Sequence, residues 1–213
     1  MTADERNRLA ELESYDILYS AQEKLFDDLV ELAAYIFSVP VARIAFVHEK
    51  EVWHKASAGM PAQEVLALEQ TLCSKAIASD EPVLVFEDLA TEPASGTATS
   101  QERNVQFYAG VPVRTPQGIP IGTVCLAGYE PRQLTQPEQQ LLTQLADLVM
   151  RALEARRQLH ATQNTHGWDR LREEAEEVLH NQMAVVRYLK ARSEGQVPVP
   201  PSCWNPLPGA WKK

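Results

Sequence analysis

The amino-acid sequence predicts an α+β fold, in which helices pack on one antiparallel sheet. Near both ends of the chain, apolar residues recur every three or four positions, a spacing typical of amphipathic helices. Between these regions lie short apolar runs, rich in β-branched residues and bounded by Gly, Pro or charged residues, which are typical of strands. Mixed segments in this order favour one antiparallel sheet with helices on its faces.

The N-terminal half contains helices on either side of a pair of strands. Residues 3–37 are predicted to be helical with one break, and the second part of this region is strongly amphipathic and ends before Pro40. Strands are predicted at 41–47 and 52–58, joined by a polar turn. Residues 63–79 are predicted to form another helix.

The middle of the chain is predicted to supply the remaining strands. PVLVFED, residues 82–88, is expected to form a third strand. Residues 91–104 are rich in Thr, Ser, Ala and Gly without apolar periodicity, which predicts a mobile loop or lid. A hairpin follows, with strands at 105–113 and 119–127, and Gly118 supplies the positive φ that its turn requires.

The C-terminal third is predicted to be mostly helical. A long helix begins near Thr135, which forms a capping-box pattern with Glu138. After a break at Gly167, a second helix is predicted over 168–192. Residues 196–213 are rich in Pro and Trp, so they are predicted to run extended rather than helical.

Apolar residues follow a heptad spacing through both C-terminal helices, which is typical of helices that pair. This seam consists of Leu141, Leu145, Leu148, Ala152, Leu159, Leu171, Val178, Gln182, Val185 and Leu189. A polar residue within such a seam, here Gln182, can set its register. The seam predicts either a homodimeric coiled coil or a second helix that folds back on the first at Gly167. We therefore expect a domain over 1–160, a helix over 161–195 and a tail over 196–213.

Composition and charge exclude several classes of partner. The chain has a formal net charge of −9, with 29 acidic against 20 basic residues, and it has no block of Lys or Arg. Nucleic acids and anionic membranes are therefore disfavoured as partners. No run of apolar residues is long enough to span a bilayer, and the N-terminus lacks the apolar core of a signal peptide. Three widely spaced cysteines do not indicate a disulfide framework, which favours a cytoplasmic location.

Four blocks of the sequence resemble the GAF domain family, a ligand-sensing module of bacterial signalling proteins and phosphodiesterases. They are VARIAFVHEKEVWHKASAG, TLCSKAI, PVLVFEDL and the longer block that begins VQFYAGVPVRTPQGIPIGTVCL. The resemblance covers roughly 5–160, and its most specific part is Phe107–Gly110 with PQGIPIGTVCL after it. It implies a central antiparallel sheet of five to six strands, with the N- and C-terminal helices on one face and a C-terminal helical extension.

The resemblance also implies a small-molecule pocket on the opposite face of the sheet. Bulky aromatic residues on one strand can wall such a cavity while small residues on the neighbouring strand leave its floor open. They can equally fill the core, although Tyr108 is the better ligand contact because a buried hydroxyl needs a partner. The candidate pocket residues are Trp53, Cys73, Glu87, Asp88, Phe107, Tyr108, Thr123 and Cys125.

Catalytic and chromophore-binding members of the family have sequence features that this chain lacks. Free methionine sulfoxide reductases carry clustered cysteines in the central loop, whereas residues 87–104 contain none. Cys73 and Cys125 lie in apolar surroundings, where a thiol is usually an inert small hydrophobe. Bilin carriers commonly have His after the attachment cysteine, but Ser74 follows Cys73, and the NKxnFxxxDE signature of cyclic-nucleotide binders is absent. We expect no enzyme, no cofactor and an unidentified small-molecule ligand.

Isolated histidines are weaker candidates. His48 and His54 flank the first strand turn without a clear third ligand, so we expect no metal site. His180, in EEAEEVLHNQMAVVRYL, vaguely resembles the phosphoacceptor of histidine-kinase dimerisation helices, but a solvent-exposed residue is the simpler interpretation.

The sequence therefore predicts a regulatory sensor that binds a small molecule or a partner protein and dimerises through its terminal helices. A partner signalling protein is expected to bind a helix or the tail, where Trp204 and Trp211 lie. Two alternatives stay open. One is an enzyme of the free methionine sulfoxide reductase type, and the other is a protein-binding scaffold whose pocket is closed.

Overall fold

The computed structural model describes residues 2–91, 97–161 and 165–192. Its helices are α1 Ala3–Glu13, α2 Lys24–Phe37, α3 Cys73–Ala78, α4 Ala98–Glu102, α5 Gln136–Ala161 and α6 Thr165–Arg192, with a short 3-10 helix at Leu68–Gln70. Its strands are β1 Val41–Val47, β2 Glu51–Ala58, β3 Val65–Ala67, β4 Leu84–Phe86, β5 Phe107–Arg114 and β6 Pro120–Gly128. The predicted tail at 196–213 lies outside the described residues.

All six strands form one antiparallel sheet in the order β3-β2-β1-β6-β5-β4. The predicted hairpin is its centre, since β5 and β6 pair along their whole length and β6 also pairs with β1. Gly118 has a φ of +82° in the turn between them, as expected of a residue without a side chain. The α+β fold and the antiparallel sheet with terminal helices are thus confirmed.

Both faces of the sheet are covered, which is why β1 is buried at every position. Side chains of successive strand residues point to opposite faces. On β5, Phe107, Ala109 and Val111 join the larger core under the long helices, whereas Tyr108 joins a smaller apolar cluster on the other face. Side chains along β5 therefore alternate between the larger core under the helices and the smaller apolar cluster on the other face.

Helices α2 and α5 pack on one face of the sheet, and α6 packs on α2 and α5 in turn. Ala175, Leu179 and Val186 of α6 are buried in the main core, and the guanidinium of Arg187 lies over the ring of Tyr35 of α2, 5.8 Å from its centroid. Of the two arrangements that the sequence allowed, the structure shows the helix that folds back on its own chain.

A β-bulge in β2 contains a lysine that lies under the helices. Ala45 of β1 pairs with His54 and Ile44 pairs with Ala56, so Lys55 is the extra residue. Its side chain is completely buried on the helix face, where its ammonium lies 2.8 Å from the Glu23 carboxylate. Arg156 of α5 reaches the same carboxylate at 3.2 Å. We call Glu23, Lys55 and Arg156 the buried charge cluster.

Two predicted elements differ from the structure. The helix predicted over 63–79 is wrong in its first half, because 65–67 pairs with the edge strand β2 and only 73–78 is α-helical. Pairing with an open sheet edge satisfies more backbone groups than an isolated helical turn can, so tertiary structure overrides local propensity. The loop predicted over 91–104 contains α4, which Thr97 and Ser100 cap through reciprocal hydrogen bonds.

Candidate functional site

A cavity lies on the face of the sheet opposite the long helices. Strands β1, β2, β5 and β6 form its floor, and α3, α4 and the segment before α3 form its walls. The described residues leave about 70 Å³ free inside, which is room for a few water molecules or a ligand of similar size. The lining is mostly apolar, with a few polar groups from Arg43, His54, Thr71 and Arg103.

Tyr108 reaches across this cavity because Gly110 lacks a side chain. A Cβ on Gly110 would lie 2.4 Å from the Tyr108 hydroxyl oxygen, so the tyrosine ring occupies the space above that glycine. The hydroxyl points to Cys73, with its oxygen 3.9 Å from Sγ. Burial, and secondarily the neighbouring thiols, raise the pKa of Tyr108 well above its ordinary value, so the phenol stays neutral.

Two cysteines meet beneath Tyr108. Cys73 begins α3, Cys125 lies in the middle of β6, and both are buried in the same small cluster. A hydrogen bond from the Cys125 thiol lowers the pKa of Cys73 well below its ordinary value, and His54 and Thr123 add to this effect against the opposing effect of burial. The interaction with Cys73, and secondarily burial, raises the pKa of Cys125 well above its ordinary value.

His54 is oriented by the backbone next to it. Its Nδ1 lies 2.9 Å from the carbonyl oxygen of Glu64, so Nδ1 carries a proton and donates it. In the neutral ring, this arrangement leaves Nε2 as the nitrogen that can accept a proton from Cys73. The hydroxyl of Thr123 has no ordinary hydrogen-bond partner among the described residues, and the two sulfurs are the groups beside it.

Glu64 joins two arginines that line the cavity. Its carboxylate accepts hydrogen bonds from Arg43 of β1 at 2.8 Å and from Arg103, which follows α4, at 3.2 Å and through a second, shorter bond. We call this group of three residues the latch. The latch joins β1 in the floor of the cavity to the end of α4 in its wall.

Two buried polar atoms around the cavity lack a partner among the described side chains and backbone. They are Nε of Arg43 and Oγ1 of Thr71, and both residues line the cavity. A buried donor without an acceptor is costly, typically by about 1–3 kcal/mol. An occupant with acceptor atoms would satisfy both groups, so the cavity is suited to a small ligand that accepts hydrogen bonds.

The latch predicts a specific dependence of stability on pH. Burial raises the pKa of Glu64, but the hydrogen bonds and charges of Arg103 and Arg43 outweigh it and lower this pKa to about 2, from an ordinary value of 4.5. The folded state therefore binds a proton less readily than the unfolded state, so this contribution is complete above pH 4.5 and disappears as the pH falls towards 2.

We expect the Glu64→Gln variant to lose less stability than the unaltered protein between pH 5 and pH 3, because its amide does not titrate. Urea denaturation at a series of pH values measures this difference. Glu69→Gln, on an exposed residue of the nearby 3-10 helix, is the matched control and should follow the unaltered protein. Parallel pH curves for Glu64→Gln and the unaltered protein would contradict the prediction.

The structure separates the predicted pocket residues into three groups. Cys73, Tyr108 and Cys125 line the cavity, and Thr123 lies beside the two sulfurs. Trp53 and Phe107 do not line it, because strand alternation turns both into the core under the helices. The structure thus places both side chains on the face of the sheet away from this cavity.

Glu87 and Asp88 also lie away from the cavity. The backbone carbonyl of Glu87 accepts a hydrogen bond from the N–H of Arg132 at 2.9 Å, and its carboxylate accepts one from the side chain of Gln133 at 3.3 Å. The Asp88 carboxylate accepts a hydrogen bond from the backbone N–H of Ala90 and so closes a local turn. Both residues stabilise the chain around the end of β4, and neither lines this cavity.

The helical seam is used mainly within the chain. Leu141, Leu145 and Ala152 are buried in the domain's own core because α5 lies on the sheet, so they are not available to a second chain. Leu148, Leu159, Leu171 and Val178 are half-buried. The side chains of Gln182, Val185 and Leu189 lie outside the described part of the structure.

The site contains residues that the sequence did not single out for it. Arg43, Glu64, Thr71 and Arg103 lie in four separate segments, and only the folded sheet brings them together. His54 was considered as a metal ligand with His48, but His48 faces Glu13 instead, at 3.7 Å. Within the described ranges, no group of three or more His, Cys, Asp or Glu could hold a metal ion.

The six-stranded sheet with long helices on one face and a cavity on the other defines the class of this α+β domain. Residues 20–154 match the family model described as GAF domain, which is more than half of the chain. The chain belongs to the GAF domain family.

Solved structures of this fold come from proteins with different roles. The GAF domain of the Acinetobacter phosphoenolpyruvate-protein phosphotransferase has a TM-score of 0.53 at 18% identity and covers 77% of this chain and 99% of that one. The free methionine-R-sulfoxide reductase of Neisseria meningitidis has a TM-score of 0.54 at 18% identity, covering 72% and 90%. The blue-light absorbing form of the Thermosynechococcus elongatus PixJ GAF domain gives 0.50 at 16%, covering 78% and 94%. At these identities the likeness extends to the fold alone.

A relative in sequence is a cyclic di-GMP phosphodiesterase of Pseudomonas aeruginosa, 27% identical over 150 residues. The match covers 69% of this chain but only 25% of that protein, so the similarity does not assign the relative's activity to the shared segment. In the helices that the structure describes, no stretch combines the length and apolar character needed to cross a bilayer.

Proposed function

We propose that this chain is a non-catalytic regulatory domain that binds a small molecule in the cavity beneath Tyr108. The observation that carries the proposal is the pair of unpartnered buried donors, Arg43 Nε and Thr71 Oγ1, in a cavity that the latch covers. A preformed apolar cavity with a few convergent polar groups is the usual form of a small-molecule site.

The size and polarity of the cavity define the class of ligand. Its free volume of about 70 Å³ suits a compact molecule with carbonyl, carboxylate or similar acceptor atoms. A dinucleotide such as cyclic di-GMP is much larger, so it would require the latch to open. The ligand would act by stabilising the latched state over the open one, which is a shift between two populations.

Ligand binding can be tested without knowing the ligand. We expect native mass spectrometry of freshly purified protein to show a bound small molecule, or a library of small carboxylates and carbonyl compounds to raise its thermal midpoint. Thr71→Val removes one donor without a large change in volume and should weaken binding by about 1–3 kcal/mol. Arg114→Gln, on an exposed residue whose guanidinium donates a hydrogen bond to the Gly118 carbonyl in the nearby turn, is the control.

An empty protein that no compound stabilises would contradict the sensor and favour a protein-binding scaffold. Turnover of free methionine sulfoxide by reduced protein would favour the enzyme. The resemblance to a free methionine-R-sulfoxide reductase concerns the fold alone, so we expect no turnover.

We also propose that the protein forms a homodimer and passes its signal to a partner protein. The half-buried seam residues Leu159 and Leu171 line a groove shared by the end of α5 and the start of α6. Together with the half-buried Leu148 of α5, they supply the apolar surface for a second chain. A change in latch position would reach this surface through the sheet on which α5 packs.

A further inference from the structure

The cavity contains a pair of thiols that neither ligand binding nor dimerisation uses. Cys73 of α3 and Cys125 of β6 are free cysteines that are buried in one small cluster. Both side chains line the cavity, so a small molecule that enters it meets the sulfurs directly.

We propose that Cys73 and Cys125 form a redox-sensitive dithiol that small hydroperoxides oxidise to an intramolecular disulfide. The geometry assigns different roles to the two sulfurs. Cys73 lies with His54, Thr123 and the Tyr108 hydroxyl and is the attacking sulfur, whereas Cys125 lies in the strand beneath it and is the resolving sulfur.

The surroundings of Cys73 favour its thiolate. The neighbouring Cys125 thiol, the His54 ring and the Thr123 hydroxyl stabilise negative charge on this sulfur. His54 is held by the Glu64 carbonyl so that its second ring nitrogen can take the proton. A thiolate is the reactive form towards peroxides, and a neighbouring thiol is what turns its first oxidation product into a disulfide.

The reaction balances in two steps. The Cys73 thiolate attacks one oxygen of the hydroperoxide, so a sulfur–oxygen bond forms and the oxygen–oxygen bond breaks, and the leaving oxygen takes the proton to give an alcohol or water. The Cys125 sulfur then attacks the Cys73 sulfenic acid, so the sulfur–sulfur bond forms and hydroxide leaves with the Cys125 proton as water. The two sulfurs together lose two electrons, and the peroxide is reduced.

The disulfide would change the cavity itself. It would tie the start of α3 to the middle of β6 and remove the thiol that the Tyr108 hydroxyl now contacts. Oxidation would therefore alter the space available to a ligand, and it gives the domain an input that is chemically different from ligand binding.

The test uses the full chain with Cys203→Ser, which leaves Cys73 and Cys125 as its two cysteines. After treatment with hydrogen peroxide, we expect the free thiols of the denatured protein to fall from two per chain to none. The mass should fall by two hydrogen atoms, and dithiothreitol should reverse both changes. Two unreacted thiols, or oxidation that dithiothreitol does not reverse, would overturn the proposal.

Single variants test the assigned roles. With Cys125→Ser, Cys73 should stop at a sulfenic acid that dimedone traps, whereas with Cys73→Ser, Cys125 should stay reduced. His54→Ala should slow the reaction about tenfold near neutral pH and move its pH profile upwards, since each unit of thiol pKa changes the thiolate fraction about tenfold. An unchanged rate and pH profile would remove His54 from the mechanism.

The measurement needs no ligand, so its outcome is independent of the proposed function. If the protein forms the disulfide but binds no small molecule, the proposed ligand-binding function is overturned and the redox proposal is supported. If it binds a ligand but its thiols resist peroxide, the redox proposal is overturned and the proposed function is supported.

Discussion

Replacing Glu23 by Gln is expected to lower the free energy of unfolding by about 3–5 kcal/mol, because it leaves two buried cations without their shared counter-charge. The ammonium of Lys55 is completely buried, and the Arg156 side chain is 8% exposed. Burial already lowers the pKa of Lys55, with Glu23 opposing that change, so removal of the carboxylate makes the charged lysine still less favourable. Urea denaturation at neutral pH measures the difference.

Lys24→Ala is the control for this experiment, since it removes an ion pair between the exposed Lys24 and Asp28 one turn apart on α2. Such exposed pairs contribute at most about 0.5 kcal/mol. Lys55→Met in the Glu23→Gln background should recover part of the loss, because an apolar side chain replaces one unpaired charge. A Glu23→Gln variant as stable as the control would show that the buried charge cluster is hydrated or open in solution.

Leu179→Ala is expected to destabilise the protein by about 2–5 kcal/mol, since Leu179 is 6% exposed and fills the contact of α6 with the main core. His180→Ala changes the adjacent exposed residue and should alter the unfolding free energy by less than about 0.5 kcal/mol. Chemical denaturation of the two variants side by side gives the comparison.

The same pair of variants distinguishes a folded-back helix from an exchanged one. If α6 packs on its own chain, Leu179→Ala lowers the stability of each chain but leaves the dissociation constant of the proposed homodimer close to that of His180→Ala. If α6 packs on a second chain, Leu179→Ala weakens the dimer, so sedimentation measures a larger dissociation constant. A larger dissociation constant for Leu179→Ala would therefore contradict the fold-back arrangement seen in the structure.

The sequence predicts the fold better than it predicts the site, for a physical reason. Helices α2 and α5 and the β5–β6 hairpin follow from local features, such as the capping pair of Thr135 and Glu138, whose carboxylate accepts the Thr135 N–H at 2.9 Å. These signals lie within a few residues of one another. β3 depends instead on pairing with β2, which no local pattern reveals.

The cavity depends on which face of the sheet each strand residue points to, and on contacts between segments that lie far apart in the sequence. A run such as Phe107-Tyr108 shows that two aromatics enter a strand, but not which of them faces the helices. Gly110 contained the useful signal, because a glycine two positions after Tyr108 leaves space on the face that Tyr108 occupies. The latch joins Arg43, Glu64 and Arg103, whose separation along the chain hides their contact.

Strand alternation at the bulge in β2 places neighbouring side chains on opposite sides of the sheet, with His54 lining the cavity and Lys55 facing the charges under the helices. A residue that lines the cavity, His54, is therefore adjacent in the chain to Lys55, which belongs to the buried charge cluster with Glu23 and Arg156 of α5. A twist of the backbone at this position would displace both groups at once. Under the proposed function, these two adjacent residues would link an oxidised or occupied cavity to the terminal helices.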